Sequence, residues 1–231
     1  MNAGTIAAAA KRLEAVGART PLQRSDRLSE RYGAEVYLKR EDLQCVRSYK
    51  IRGAYNFIAG MDRAAAASGV VCASAGNHAQ GVAWCARHLE VHATIFLPRH
   101  TPHQKIARIR TIGASWVDVR FSGPTFDDAA HDATAFAASE GATLVSAFDH
   151  PVTISGQGTV MVEVLDELDE PPDIVVVPVG GGGLIAGVAA CVDGAGARTV
   201  VVGAQPAGSP AMTRSVEAGH PVTIEIEDDF V

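Results

Sequence analysis

Four consecutive glycines, Gly180 to Gly183, stand in the stretch VPVGGGGLIAGV, between an apolar run that predicts a buried strand and a run that predicts a helix. Glycine loses more backbone freedom on folding than any other residue, so such a run needs a compensating role. Glycines let the backbone approach a ligand closely, and the first turn of a helix presents unpaired N–H groups. The stretch therefore predicts a binding site for an anion.

The glycine run could also bind a different ligand, or none. No lysine follows it in the Gly-Lys-Ser/Thr pattern, which argues against a nucleoside triphosphate. Gly181, Gly183 and Ala186 fit the dinucleotide pattern G-x-G-x-x-A, but Gln205 stands where an acid would hold the ribose. A tight turn without a ligand is a further alternative. A small cofactor that carries a phosphate fits better than any of these.

Lys50 is the candidate nucleophile that could hold such a cofactor covalently. It follows Ser48 and Tyr49 in VRSYKIRGAYNF, at the start of a segment with a helical pattern and apolar neighbours. Desolvation among those neighbours would lower the pKa of the amine and make it reactive. The alternative is an ordinary solvated lysine.

A second loop, SAGNHAQG, follows the predicted strand VVCAS and opens the next predicted helix. Its hydroxyl, amide and backbone N–H groups at a helix N-terminus suit a carboxylate. We interpret His78 as a structural hydrogen-bonding partner in preference to a general base, and the other histidines show no metal-ligand spacing.

The elements that must position these residues alternate between short β-branched runs and alanine-rich amphipathic runs, which is typical of parallel α/β sheets. The pattern occurs twice. We expect a small inserted α/β domain over residues 70–149 and a larger cofactor-binding domain formed by residues 1–69 and 150–231. The stretch DIVVVPV is apolar enough to predict a strand buried on both faces.

Composition excludes several classes of protein. The chain has 231 residues, 47% of them hydrophobic, and a formal net charge of -6 with scattered basic residues, so no nucleic-acid partner is indicated. No apolar run predicts a membrane span or a signal peptide, and we expect a cytoplasmic protein. The four cysteines lie far apart, which predicts reduced, mostly core thiols.

Together KREDLQCVRSYKIRGA, SAGNHAQG, SGQGT and VPVGGGGLIAG, in this order, resemble the fold-type II pyridoxal phosphate enzymes of the tryptophan synthase beta-like superfamily. The resemblance is closest to the biosynthetic threonine dehydratases, or threonine ammonia-lyases. It implies two three-layer α/β/α domains with mostly parallel sheets and pyridoxal 5'-phosphate as cofactor. By resemblance Lys50 would bind the cofactor covalently and later take the substrate's α-proton, and Asn77 would contact the ring hydroxyl. The phosphate would lie against Gly180, Gly181, Gly182, Gly183 and Leu184.

The resemblance also implies a substrate and a reaction. L-threonine would be dehydrated and deaminated to 2-oxobutanoate and ammonia, the first step of isoleucine biosynthesis, by a homodimer or homotetramer. Gln157, in a loop at SGQGT, would approach the same substrate carboxylate as the asparagine loop. That loop comprises Ser74, Ala75, Gly76, Asn77 and His78.

Departures from the family narrow the prediction. Serine racemases of this fold carry a second serine where this chain has Ala75, so racemisation is disfavoured. Family members that bind a divalent cation usually carry an acidic residue in the segment equivalent to GAQPAGS, whereas Gln205 is neutral, so we expect no metal. The family's residue facing the pyridine nitrogen would lie beyond Val231, and the acidic ending TIEIEDDFV suggests a fragment. A truncated or non-catalytic cofactor-binding module and an L-serine dehydratase therefore stay open as alternatives, with a nicotinamide-dependent enzyme further behind.

Overall fold

The computed structural model describes residues 2–17 and 19–224. The strands in this part of the chain are β1 (Leu22–Arg24), β2 (Tyr37–Lys39), β3 (Val70–Ala73), β4 (Ala93–Pro98), β5 (Val117–Ser122), β6 (Thr143–Leu144), β7 (Ile174–Pro178) and β8 (Val200–Ala204). The α-helices are α1 (Ala3–Leu13), α2 (Asp26–Tyr32), α3 (Lys50–Ile58), α4 (Arg63–Ala67), α5 (Asn77–Leu89), α6 (His103–Gly113), α7 (Phe126–Glu140), α8 (Pro151–Glu167), α9 (Gly183–Gly194) and α10 (Ala211–Ala218). The acidic ending TIEIEDDFV, from which the sequence suggested a fragment, lies outside the described residues except for its first two positions.

The strands from β3 to β6 form one parallel sheet in the order β5-β4-β3-β6. Successive residues of β3 point to opposite faces, as strand geometry requires. Cys72 belongs to the core cluster that includes α5 and α6, whereas Val71 packs with the buried alanines of α7. Helices therefore cover both faces, and the carboxyl end of the buried β3 leads directly into the asparagine loop.

β7 and β8 form a separate parallel pair, and here one prediction is wrong. Val177 is buried with α8 and α9, but Ile174 is 59% exposed and Val176 is 65% exposed. The apolar run DIVVVPV is thus covered on one face only, because the described residues supply one helical layer for this sheet. The opposite face, which also includes Val200 and Val202, is an exposed apolar surface.

Helix α3 lies between the two sets of elements. Its residues Ile51 to Ile58 are all buried, and it packs against α5 on one side and α8 on the other. β1 and β2 pair with each other in an antiparallel arrangement. The grouping of β3 to β6 in one sheet supports the proposed inserted domain over residues 70–149, and the exact division stays a prediction.

Cys72, Cys85 and Cys191 are buried and Cys45 is exposed, and all are free thiols. Burial raises the pKa of Cys72 to about 12, in keeping with a core role. None of the helices in the described residues is both long and apolar enough to cross a membrane.

A buried ion-pair network fixes α3 to its neighbours. The Arg52 guanidinium is fully buried and donates to Glu41 Oε1 at 2.7 Å and to Glu163 Oε1 at 2.5 Å. Lys39 Nζ donates to Glu163 Oε2 at 2.8 Å. Burial alone would raise the pKa of Glu163, but hydrogen bonds and charge from Arg52 and Lys39 outweigh it and lower that pKa. The network joins β2, α3 and α8.

Replacement of Arg52 should destabilise the fold far more than replacement of an exposed arginine. Arg52→Ala leaves two largely buried carboxylates without their main partner, so we expect a loss of about 3–5 kcal/mol in the free energy of unfolding. Arg120→Ala, which breaks the exposed pair with Asp118, should cost less than about 1 kcal/mol. Urea unfolding followed by circular dichroism measures both, and equal losses would contradict the account.

Candidate active site

Lys50 is the first residue of α3, and its side chain turns towards the segment that precedes α8. Its Nζ donates to the carbonyl oxygen of Ala147 at 2.7 Å and lies 5.3 Å from the centroid of the Tyr49 ring. Burial lowers the pKa of the Lys50 amine to about 8. The predicted desolvated amine is therefore present, and it is held by a backbone acceptor with no carboxylate among its hydrogen-bond partners in the described residues.

The asparagine loop occupies the carboxyl end of β3. Ser74 Oγ accepts from the N–H of Gly76 at 3.2 Å, and α5 then begins at Asn77. The first turn of α5 thus presents its N–H groups where the strand ends, which is a favourable position for an anion. Gly81, one turn further on, packs against the backbone of Lys50, since a Cβ there would lie 3.2 Å from the Lys50 carbonyl oxygen. The loop and the lysine are therefore neighbours.

His78 lies inside this arrangement and has a structural partner. Its Nε2 is 2.9 Å from the carbonyl oxygen of Val145, and the ring is 2% exposed. Burial lowers the pKa of His78 to about 4, so the ring is neutral at physiological pH and Nε2–H donates to Val145. This geometry agrees with the structural hydrogen bond that the sequence favoured over a general base.

The glycine loop follows β7 and opens α9, and the structure constrains three of its four positions to glycine. Gly182 has φ +86°, a left-handed conformation that favours glycine. A Cβ on Gly181 would lie 2.5 Å from Cδ1 of Phe148, and one on Gly183 would lie 2.8 Å from the Phe148 carbonyl oxygen. Gly180 has open space around it. Leu184 is buried and anchors the helix to the core.

The predicted position of Gln157 in a loop is wrong. Gln157 lies within α8, fully buried, and its Oε1 accepts from the N–H of Gly53 at 3.1 Å. The glycines of SGQGT serve close helix packing: a Cβ on Gly156 would lie 2.6 Å from the Arg52 carbonyl oxygen, and one on Gly158 would lie 2.7 Å from the Gly187 carbonyl oxygen. Glycines are common both in loops and where helices pack closely, so the sequence SGQGT suggested a loop although it forms part of α8.

A connector of residues 145–150, between β6 and α8, is the part of the site that the sequence did not reveal. Val145 accepts from His78, Ala147 accepts from Lys50, and Phe148 packs against Gly181 and Gly183. Each of the three predicted motifs therefore contacts the same short segment. Neither periodicity nor composition marks the connector, because two of these contacts are made by backbone carbonyl groups.

An open cavity of about 700 Å³ is lined in part by Asn77. Besides Asn77 its lining includes three basic side chains, those of Arg47, Lys105 and Arg108, but neither Lys50 nor the glycine loop. The cavity is therefore distinct from the glycine loop that the sequence predicts to bind phosphate. Within residues 2–17 and 19–224, no cluster of three or more histidine, cysteine or acidic side chains could hold a metal ion.

Residues 13–231 match the family described as pyridoxal-phosphate dependent enzyme, and the chain belongs to this family. It is similar to L-threonine dehydratase biosynthetic IlvA of Mycobacterium tuberculosis, with 51% identity over 100% of this chain and 54% of that protein. The relative of that name in Bacillus subtilis is 46% identical over 92% of this chain and 50% of its own length. The chain thus spans about half the length of the curated relatives it matches.

The chain is also similar in fold to solved structures. The processed form of threonine deaminase isoform 2 from Solanum lycopersicum matches with a TM-score of 0.86 and 42% identity, over 92% of this chain and 61% of that chain. Maize serine racemase matches with a TM-score of 0.91 and 30% identity, over 98% of this chain and 68% of that chain. The expected fold, the resemblance to biosynthetic threonine dehydratases and the choice of pyridoxal phosphate over a dinucleotide are confirmed.

The reactivity of Lys50 should rise with pH through a midpoint of about 8, because burial lowers the pKa of its amine and only the neutral form attacks an electrophile. Labelling with trinitrobenzene sulfonate at a series of pH values, with peptide mass spectrometry, gives the midpoint for each lysine. Lys11, in the exposed part of α1, serves as the comparison. A Lys50 midpoint that coincides with that of Lys11 would contradict the desolvated environment.

Proposed function

We propose that this chain carries the active site of a pyridoxal phosphate-dependent ammonia-lyase that converts L-threonine to 2-oxobutanoate and ammonia, the first step of isoleucine biosynthesis. The observation that carries the proposal is the convergence of three motifs on one connector: the amine of Lys50, the asparagine loop and the glycine loop all contact residues 145–148. The names of the curated relatives support the choice of substrate and pathway.

The residues present fit the cofactor. A phosphate group needs several N–H donors at one point, and the glycine loop at the start of α9 offers a backbone that side chains do not crowd on the side of Gly180. An aldehyde needs a reactive amine, and Lys50 supplies one with a pKa of about 8. Gly180 to Leu184 would hold the phosphate, Asn77 would contact the ring hydroxyl, and Lys50 would attach the cofactor. When bound, the cofactor supplies an electron sink that stabilises negative charge at the substrate's α-carbon.

The chain's own residues orient the substrate and move its proton. The loop from Ser74 to His78 would bind the substrate carboxylate through backbone N–H groups and the Ser74 hydroxyl. The neutral His78 ring holds this loop to Val145 and takes no part in proton transfer. Lys50 would take the α-proton, since with a pKa of about 8 roughly a tenth of the amine is neutral at pH 7. Gln157 is too deeply packed against α3 for a direct substrate contact, and we propose that it supports α3 instead.

L-serine is the alternative substrate. It differs from threonine by one methyl group, and a pocket discriminates such a difference by only about 1–3 kcal/mol. We propose that threonine is the faster substrate. Racemisation is disfavoured because Ala75 offers no hydroxyl where a second base would stand. A cytoplasmic homodimer or homotetramer completes the proposal.

The test combines cofactor binding with turnover. Incubation of the chain with pyridoxal 5'-phosphate should produce the visible absorbance band of a lysine-bound cofactor, and Lys50→Ala should abolish that band. Addition of L-threonine should change the spectrum and release 2-oxobutanoate, which lactate dehydrogenase detects through consumption of NADH. L-serine should react more slowly.

Other outcomes separate the alternatives. A band that depends on Lys50 without any release of oxo acid would favour a non-catalytic cofactor-binding module. Faster release from L-serine than from L-threonine would favour a serine dehydratase, and D-serine formation would favour a racemase. A band of equal intensity in Lys50→Ala would refute the assignment of the lysine.

A further inference from the structure

Phe148 has an unusual environment for a large apolar side chain. It lies in the connector between β6 and α8, and it is 37% exposed, outside the buried core clusters of the described residues. Its contacts are instead with the glycine loop, where the ring lies against Gly181 and its backbone against Gly183. Burial in the hydrophobic core therefore does not account for an aromatic residue at this position.

The glycine loop needs an external support. A run of glycines gains little from its own side chains and loses much backbone freedom when it is ordered. The Cβ positions of Gly181 and Gly183 are both occupied by atoms of Phe148, so these glycines and Phe148 fit one another as a single packed unit. The methyl group of Met212 approaches Gly182 closely as well, since a Cβ there would lie 2.7 Å from Met212 Cε.

We propose that Phe148 is a positioning residue that orders the glycine loop for phosphate binding and sets its distance from Lys50. This rests on the proposed function, because it assumes that the loop binds the cofactor phosphate. The link to Lys50 is direct along the chain: Ala147, the residue before Phe148, accepts a hydrogen bond from Lys50 Nζ at 2.7 Å. The dipeptide of Ala147 and Phe148 thus contacts both Lys50 and the glycine loop.

The experiment compares two ligands that differ only in the phosphate. Binding of pyridoxal 5'-phosphate and of pyridoxal is titrated by absorbance, and the ratio of their affinities isolates the contribution of the phosphate. In Phe148→Ala the loop must be ordered on binding, so the affinity for pyridoxal 5'-phosphate should fall by about threefold to tenfold while that for pyridoxal stays within about twofold. Phe148→Tyr keeps the ring and should restore the ratio.

Controls keep the result specific. Phe121→Ala removes a half-exposed phenylalanine from β5, away from the glycine loop, and should leave both affinities unchanged. Thermal unfolding checks that each variant folds, which the partial exposure of Phe148 favours. An unchanged ratio in Phe148→Ala, or equal losses for both ligands, would overturn the positioning role. If the native chain itself shows no preference for the phosphorylated ligand, the proposed cofactor site fails, and the role of Phe148 fails with it.

Discussion

The buried charge of Arg52 is the constraint on which the site depends. A guanidinium with no solvent contact is stable only if acids surround it, and here Glu41 and Glu163 do so. Satisfying that charge fixes where α3 begins relative to α8, and Lys50 lies only two residues before Arg52. The reactive amine is therefore positioned by an ion-pair network that makes no direct contact with it.

Close backbone packing carries this constraint to the rest of the site. Gly53 and Gly156 let α3 and α8 approach until Gln157 can hydrogen-bond the α3 backbone. Gly81 does the same between α5 and Lys50. Since α8 leads back into the connector, a shift of α3 would be transmitted to the connector and to all three motifs that contact it. Gly53, Gly81 and Gly156 therefore serve close packing of helices in the interior.

The glycine loop and the environment of Lys50 could be predicted from the sequence, because their residue types and neighbours indicate a particular local structure. The run after β7 had to be a loop at a helix N-terminus, and Lys50 among apolar residues had to be desolvated. Gln157 was misplaced because flanking glycines are ambiguous: the same residue type permits a loop and a tight helix crossing. β7 was expected to be buried on both faces because its sequence is apolar throughout. An apolar sequence does not show which residues pack against the strand, and the described residues cover only one of its faces. The connector could not be predicted, because Val145 and Ala147 contact the site through backbone carbonyl groups, which every residue type carries.

Fold similarity by itself does not determine the reaction. Maize serine racemase superposes with a TM-score of 0.91 and the tomato threonine deaminase with 0.86, although the latter has the higher sequence identity. Differences in chemistry between proteins of this fold therefore depend on individual side chains, and we propose that Ala75 is one of them in this chain.

The central claim is that Lys50 is the one lysine placed to bind pyridoxal 5'-phosphate covalently. Reduction of the mixture of chain and cofactor with sodium borohydride, followed by peptide mass spectrometry, locates the attachment point directly. The account predicts a pyridoxyl group on Lys50, with Lys11, Lys39 and Lys105 unmodified at stoichiometric cofactor. Modification spread evenly over the lysines, or concentrated on one of the other three, would contradict it.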